Sequence, residues 1–343
     1  MSPEFNRIVR QDPTVGLTTL FRPLPKGPRP KLDVSYTPKD KSLVLQFRGP
    51  DALGIEEQTL LLVLQELAQR YQTLLTSASQ HPAEVQLRQA LFRGTVGKVP
   101  DTLHFATTWS ELLSLSEIKH GGTTQKVLAG QLRRLCECVV WEHYPSTKTV
   151  FQSFLLAMVR GDDKRLHVAL NIRLAEAICE AHYMPVSLTE RLQLQSPGAR
   201  ALHAFFSVWM RPGEARRAYL GTLVERLWPL ADFGATPTPA PIPKSTVRRR
   251  LSDVRKFLDE IDSLEEWTVT LDRARALAEI KRLASGARSP AAAPPARDMT
   301  GARDMTGHIT SVSPSFRERP IVKKASNDAG FLTVDASALF LTT

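Results

Sequence analysis

KSTVRRRLSDVRKFLDEIDSLEEW, residues 244–267, is the stretch on which the fold turns. Val247, Leu251, Val254, Leu258 and Ile261 recur at steps of four and three, which stacks them in one apolar stripe along a helix. Lys244 and Ser245 stand where the N-terminal cap belongs. Arg249, Ser252 and Lys256 fall roughly opposite the stripe, with Arg248, Arg250 and Arg255 on its flanks. A solvated helix face is the ordinary account of such a pattern. A helix held by one side and offering arginines and a serine on the other also fits the major groove of duplex DNA and its phosphate walls.

A second copy of the design decides between these accounts. In GGTTQKVLAGQLRRLCECVV, residues 121–140, Leu128, Leu132, Leu135 and Val139 make the apolar stripe. Thr123, Lys126, Arg133 and Arg134 lie on or near the opposite side. Upstream, residues 108–118 read as a short helix capped by Thr108 and packed through Leu112, Leu113 and Leu115. Lys119-His120-Gly121-Gly122 supplies the turn. Downstream, residues 138–144 and 149–158 are rich in Val, Phe and Trp and are separated by Pro145-Ser146-Thr147-Lys148, a hairpin signal. Helix, turn, basic helix and hairpin in that order is the winged helix-turn-helix. Residues 219–227, 244–263 and 267–270 repeat the sequence of leading helix, reading helix and start of a wing. The expected class is therefore α+β, with two tandem winged-helix domains.

The rest of the chain fits around these two segments. Its 343 residues suffice for two domains, and 42% hydrophobic residues suffice for two cores. A net charge of +10 biases the surface toward a polyanion. Residues 1–30 form a basic, proline-rich N-terminal arm carrying Arg7, Arg10, Arg22, Lys26 and Arg29. The first domain spans 31–170. It contains paired strands at 31–37 and 43–48, a leucine-rich helix over 55–75, and short strands at 103–108 and 165–170. The second spans 171–285, with a helix over 171–183, an element beginning at Ser187, a helix from Ser196 through Trp209, and a rigid loop, GATPTPAPIP, at 234–243. Residues 286–343 are low in complexity, contain a direct repeat beginning at Arg297 and Arg303, and are expected to be a disordered, partner-binding tail.

Enzymatic chemistry is not expected. Gly94-Thr95-Val96-Gly97-Lys98-Val99 resembles a phosphate loop but has Phe92 where the first glycine belongs and Val99 where the Ser or Thr belongs. Cys136, Cys138 and His143 are too few and oddly spaced for structural zinc. Histidines 104, 167, 182 and 203 are isolated in the sequence. The three cysteines cannot all pair and suit a reducing cytoplasm, where small buried apolar roles are expected of them. The most apolar runs, 60–64 and 154–159, fall far short of the ~20 residues a membrane span needs. The first twenty residues have no apolar signal core, so the expected location is the cytoplasm. No cofactor and no metal is expected. The chain reads as a binder.

Several short matches, in order across residues 12–271, resemble a known family. Leu20-Phe21-Arg22-Pro23, Lys31-Leu32-Asp33-Val34 and Phe47-Arg48-Gly49-Pro50 with Leu53-Gly54 are similar to the N-terminal signature of the IncQ-type plasmid replication initiators, the RepC family. Gly121-Gly122, residues 165–171 (RLHVALN), 199–203 (ARALH), Leu227-Trp228-Pro229, Arg248-Arg249-Arg250 and Trp267-Thr268-Val269-Thr270 continue the likeness. The loop through Pro237, Pro239 and Pro241 and the tail after Ser285 depart from it. The resemblance implies two winged-helix domains that bind directly repeated iterons in the double-stranded plasmid origin, strain a neighbouring AT-rich region and recruit a plasmid-encoded helicase and primase. Self-association on DNA follows from adjacent iterons. On this reading Thr123, Thr124, Gln125, Arg249 and Ser252 face base edges. Lys126, Arg133, Arg134, Arg248, Arg255 and Lys256 hold phosphates, and Lys244 and Ser245 complete the DNA-binding set. The alternative from another class is a transcriptional repressor that binds one operator as a dimer; tandem direct repeats beside AT-rich DNA, against a single inverted repeat, separate the two. A scaffold protein working through its tail is a third reading, decided by deleting the tail.

Overall fold

The computed structural model describes residues 7–95, 99–117, 121, 123–180, 182–229, 243–272 and 274–284. It is a mixed α/β fold. Strand β1 (Ile8–Gln11) and helix α1 (Pro13–Leu17) come first, followed by β2 (Leu32–Tyr36), β3 (Val44–Gly49) and helix α2 (Ile55–Arg70). Next are β4 (Thr73–Leu75), α3 (Pro82–Leu91), β5 (Thr102–Thr107), α4 (Trp109–Leu115) and α5 (Thr124–Cys136). Strands β6 (Val139–Tyr144), β7 (Thr149–Phe154), β8 (Leu156–Arg160) and β9 (Leu166–Leu170) lead to α6 (Ile172–Cys179), β10 (Met184–Ser187) and α7 (Leu188–Gln193). The remaining elements are α8 (Pro197–Trp209), β11 (Ala215–Tyr219), α9 (Leu220–Leu227), α10 (Lys244–Asp262), β12 (Trp267–Asp272) and β13 (Leu277–Arg282).

Two four-stranded sheets, in the orders β2-β3-β6-β7 and β4-β5-β9-β8, contribute residues to the same core as α2. That helix is buried almost all round, through Leu60, Leu61, Val63, Leu64 and Leu67, which accounts for its run of leucines without a polar stripe. A three-stranded sheet, β11-β13-β12, backs the second core, where Leu202, Phe206, Leu223, Val254, Leu258, Ile261 and Trp267 meet. Caps agree with the sequence in several places. Thr108 accepts from Glu111 N at the start of α4, Asn171 caps α6, Ser187 caps α7 and Ser196 caps α8. No helix among the described residues is long and apolar enough to cross a membrane.

Several expectations are corrected. The N-terminal arm is, from residue 7 onward, an integral part of the fold. β1 pairs antiparallel with β10, from Ile8 opposite Ser187 to Gln11 opposite Met184, and Val9, Val15 and Leu20 are buried in the first core. Its arginines are used internally. Arg7 pairs with Glu66, Arg10 donates to Ile178 O at 2.7 Å and lies over the Tyr183 ring, and Arg29 donates to Ala52 O at 2.9 Å. The boundary expected at 170/171 is not where the cores divide. Leu174, Ala175 and Ile178 of α6, then Val186, Leu188 and Val208, all belong to the first core. The helix expected over 55–75 ends at Arg70, with β4 following, and the strand expected over 149–158 divides at Leu155 between two different sheets. The segments expected as a rigid loop (234–243) and a tail (286–343) lie outside the described residues, Pro243 excepted, as does much of the Lys119–Gly122 turn.

Three arginines, Arg191 and Arg282 buried and Arg226 half-buried, join the two cores. Arg191 is fully buried and donates to Thr59 Oγ1 (3.1 Å), Ile55 O (3.2 Å), Gln58 Oε1 (2.9 Å) and Arg200 O (2.6 Å). Arg226 of α9 donates to Gly16 O, Leu17 O and Thr18 O at the end of α1. Arg282 of β13 donates to Ser207 O and to Pro185 O in β10, both at 3.0 Å. Burial pushes Arg191 down to about 9 and Arg226 down to about 10, so both remain charged at neutral pH. Replacing Arg191 by Met, similar in length but without donors, removes all four of these hydrogen bonds from the interior. The expected loss is about 3 kcal/mol, read from urea denaturation midpoints at constant m. An unchanged midpoint would show that these contacts contribute nothing.

Candidate nucleic-acid interface

α5 is placed by α2 and β8. Leu128, Leu132 and Leu135 are buried against the first core, as the stripe requires, while Val139 begins β6 instead. A second anchor is ionic. Arg134 Nε donates to Glu57 Oε1 at 2.9 Å and one of its terminal nitrogens to the same oxygen at 2.6 Å. Glu57 is fully buried; its other oxygen accepts from Gly54 N at 2.8 Å and lies 3.1 Å from Arg29. Burial alone would raise the Glu57 pKa, but the hydrogen bonds from Arg29 and Arg134 outweigh it and hold the group below the usual carboxylate range. Arg134 is thus withdrawn from the phosphate-binding set: it fixes α5 in place. Nothing in the sequence links positions 57 and 134, which meet only in the fold.

What α5 leaves outside is Thr123, Gln125, Lys126, Val127 and Arg133, with Thr124 half-buried. Arg133 has only a long 3.7 Å approach to Glu137, one turn on and itself solvated. The hairpin β6–β7 follows, paired from Val139 opposite Phe154 to Tyr144 opposite Thr149. Lys148 takes a left-handed conformation in its turn, with φ of 53°.

α10 is held the same way from the second core. Val254, Leu258 and Ile261 are buried, Leu251 is half-buried, and Val247 is 39% exposed, so the stripe is shorter than the sequence pattern implied. The cap is Pro243, without a side-chain hydrogen bond; Lys244 and Ser245 are the first residues of the helix itself. Phe257 packs against α8 where Gly198 leaves room, a Cβ at 198 falling only 2.0 Å from the ring. Glu260 accepts from the backbone N–H groups of Gln195 and Ser196 and from Ser196 Oγ, placing its carboxylate on the N-terminus of α8. Asp262 accepts from Val269 N at 2.6 Å and ties β12 to the end of the helix. Trp267, the first residue of β12, donates its indole N–H to Glu190, which also meets the buried His203 at 2.9 Å.

Six of the expected α10 residues share the solvent side: Lys244, Ser245, Arg248, Arg249, Ser252 and Lys256 are all exposed. Arg250 is turned onto the Trp228 ring at 5.4 Å. Arg255 is half-buried with its Nε enclosed and without a partner, so only its outer end reaches solvent. The hairpin β12–β13 follows, and β13 pairs on its other side with β11.

No cluster of three His, Cys, Asp or Glu positioned for a metal occurs among the described residues. Burial pushes the Cys136 thiol up to about 12 and the Cys138 thiol higher still, so neither is a thiolate at neutral pH. Three histidines that look isolated in sequence have carboxylate neighbours in the fold: His104 lies 3.4 Å from Glu84, His167 3.2 Å from Asp163 and His203 2.9 Å from Glu190.

The pairing of Arg134 and the freedom of Arg133 separate two adjacent arginines by function. Arg134→Ala leaves buried Glu57 with Arg29 alone and is expected to cost about 3 kcal/mol, at the lower end for breaking a buried pair. Arg133→Ala is expected to stay within ~0.5 kcal/mol. Because Glu57 has a lowered pKa in the fold, its contribution is present above its ordinary value near 4.5 and is lost as pH falls through the depressed one. The difference between wild type and Arg134→Ala in thermal melts should therefore narrow on acidification below about pH 4. A constant gap would show that the pair is not the cause.

Comparison with known proteins gives a family and distantly similar structures. The family model described as Replication protein C (RepC) matches residues 4–283. No curated protein matches the chain. The structure titled as selenomethionine derivatives of domain 2 and domain 3 of RctB is similar at 13% identity and a TM-score of 0.49, covering 79% of this chain and 98% of that one. A second structure, of RctB domains 2–3, is similar at 11% identity and a TM-score of 0.43, covering 78% of this chain and 95% of that one.

Proposed function

This chain belongs to the replication protein C family, and on that premise we propose that it initiates plasmid replication by binding iterons at the origin through two winged-helix units. The first unit is α4, α5 and the β6–β7 hairpin. The second is α8, β11, α9, α10 and the β12–β13 hairpin, an order of helix, strand, two helices and two strands whose first strand joins the last. One observation carries the proposal. Each reading helix is anchored along one side by apolar residues and by a buried or capping carboxylate contact, and each turns a basic, hydroxyl-bearing side to solvent. Such a side suits phosphate contacts that set register and base-edge contacts that specify sequence.

In this mechanism Arg249 and Ser252 from α10, and Thr123, Thr124 and Gln125 at the start of α5, reach base edges. Lys126, Arg133, Lys244, Arg248 and Lys256 hold phosphates. The hairpins lie alongside as wings. Copies on successive iterons associate, strain adjacent AT-rich DNA and present it to a helicase and primase. The protein itself acts as a binder, without catalytic chemistry of its own.

A DNase footprint on the origin of the encoding replicon tests this directly: protection of tandem direct repeats is the expected result. Protection of a single inverted repeat would favour an operator-binding repressor instead. Lys126, Arg133, Lys244, Arg248, Arg249 and Lys256 are the exposed cations on the two helices. If most of them neutralise phosphates, log K should fall against log salt with a slope of about −5, at roughly −0.9 per phosphate. Arg249→Ala should cost about 1–3 kcal/mol on the cognate repeat with relaxed choice at one base. Equal losses on cognate and scrambled DNA would reduce Arg249 to a phosphate contact.

A further inference from the structure

Val127 is the most exposed large apolar side chain on either reading helix, at 57% against 39% for Val247. Among the described residues it belongs to none of the apolar cores. Val127 is absent from the first core, while Leu128 beside it is fully enclosed. Valine is also a poorer helix former than the alanine or lysine that would serve a merely solvated position. One turn further along the same side is Gly130, partly exposed within the helix interior. Glycine is among the least favourable residues there, and packing does not demand it, since a Cβ at 130 would meet only Arg134 Nη1 at an ordinary 3.5 Å. One turn before Val127 is Thr123, exposed, and beside it is Lys126, also exposed. The helix therefore offers a small apolar projection next to a bare stretch of backbone, with a cation and a hydroxyl at its edge. The complement of such a surface is a small apolar group set in an anionic wall, approached closely.

Resting on the reading that α5 enters the major groove, we infer that Val127 is a specificity-determining residue that packs against the C5-methyl group of a thymine. Thymine is the base whose major-groove edge carries a methyl group. The missing side chain at Gly130 lets the helix come close enough for van der Waals contact, and Lys126 meets the flanking phosphate. Specificity at that base then comes from burial of carbon against carbon, which no hydrogen-bonding residue of α5 can supply.

Deoxyuridine differs from thymidine only in lacking this methyl group, so it isolates the contact. The experiment measures binding by fluorescence anisotropy to a duplex from the replicon's own origin, with thymines replaced one at a time by deoxyuridine. For the wild-type protein one position, or one per repeat, is expected to weaken binding about fourfold, the factor corresponding to ~0.8 kcal/mol per buried carbon. Val127→Ala should bind the thymine duplex about as weakly as wild type binds the uracil one, and should not distinguish the two duplexes at that position. Its melting temperature should equal or exceed that of wild type, because alanine is the better helix former. A uracil penalty that survives in Val127→Ala, or the absence of a penalty at every position, overturns the assignment. A wild type that does not prefer the origin duplex to a scrambled one overturns the parent reading, and the assignment with it.

Discussion

The structure depends on arginines that end on backbone carbonyls. Arg191 and Arg282 carry a charge into the interior, Arg226 is half-buried, and all three meet neutral oxygens. A guanidinium has five N–H donors in a fixed plane, so it can join several carbonyls that belong to different elements, which a lysine cannot do with one compact ammonium. The arrangement is costly in isolation, since no carboxylate neutralises Arg191 directly. What it achieves is geometric. Arg226 gathers the last carbonyls of α1, where a helix favours a cation. Arg282 joins β13 to β10, and Arg191 joins α7 to the start of α2 and to α8. These contacts tie the first core to the second, so that α5 and α10 are presented by one body.

That constraint also explains why the N-terminal segment is folded. A short basic stretch with prolines has the composition of an arm, and from composition alone nothing distinguishes an arginine that awaits phosphate from one that serves a carbonyl or a carboxylate. Arg7 and Arg10 do the latter, and Arg226 needs the end of α1 as its acceptor. The net charge of +10 therefore overstates the basic surface available to a partner. A substantial share of the arginines is consumed in holding the fold, and six of the exposed cations stand on α5 and α10.

How legible each part was follows from the range of the interaction that made it. α4, α5, α9, α10 and the hairpins after them were readable because period, caps and turns act within a few residues. Thr108, Asn171, Ser187 and Ser196 cap the helices they precede. By contrast β1 pairs with β10 across most of the chain, and Glu57 meets Arg134 only after α2 and α5 have packed. Helical arithmetic placed Arg133 and Arg134 on nearly the same side, and only the position of Glu57 separates them. Val247 shows the complementary failure: it continues the stripe by period, yet the second core ends at Val254 and Leu251, one turn short of it. The pattern gives direction around a helix and says nothing about how far the opposing surface extends.

α10 adds an argument from local electrostatics. Helices favour acidic residues in the first turn and basic residues in the last, because of the partial charges at their ends. α10 has neither: its first turn contains no acidic residue and its last turn no basic one. Lys244, Arg248, Arg249 and Arg250 crowd the N-terminal half, and Asp259, Glu260 and Asp262 the C-terminal half, the reverse of what would stabilise the helix alone. Glu260 and Asp262 have internal reasons, capping α8 and anchoring β12. Among the described residues the cations at the other end make no ion pair, and Arg250 lies on Trp228. Where a sequence breaks a local rule without an internal compensation, the compensation is expected from a partner. An anionic backbone laid along the first turns of α10 reverses the penalty: it meets the positive end of the helix dipole and the cations together. The helix that is poorly arranged for itself is well arranged for a polyphosphate.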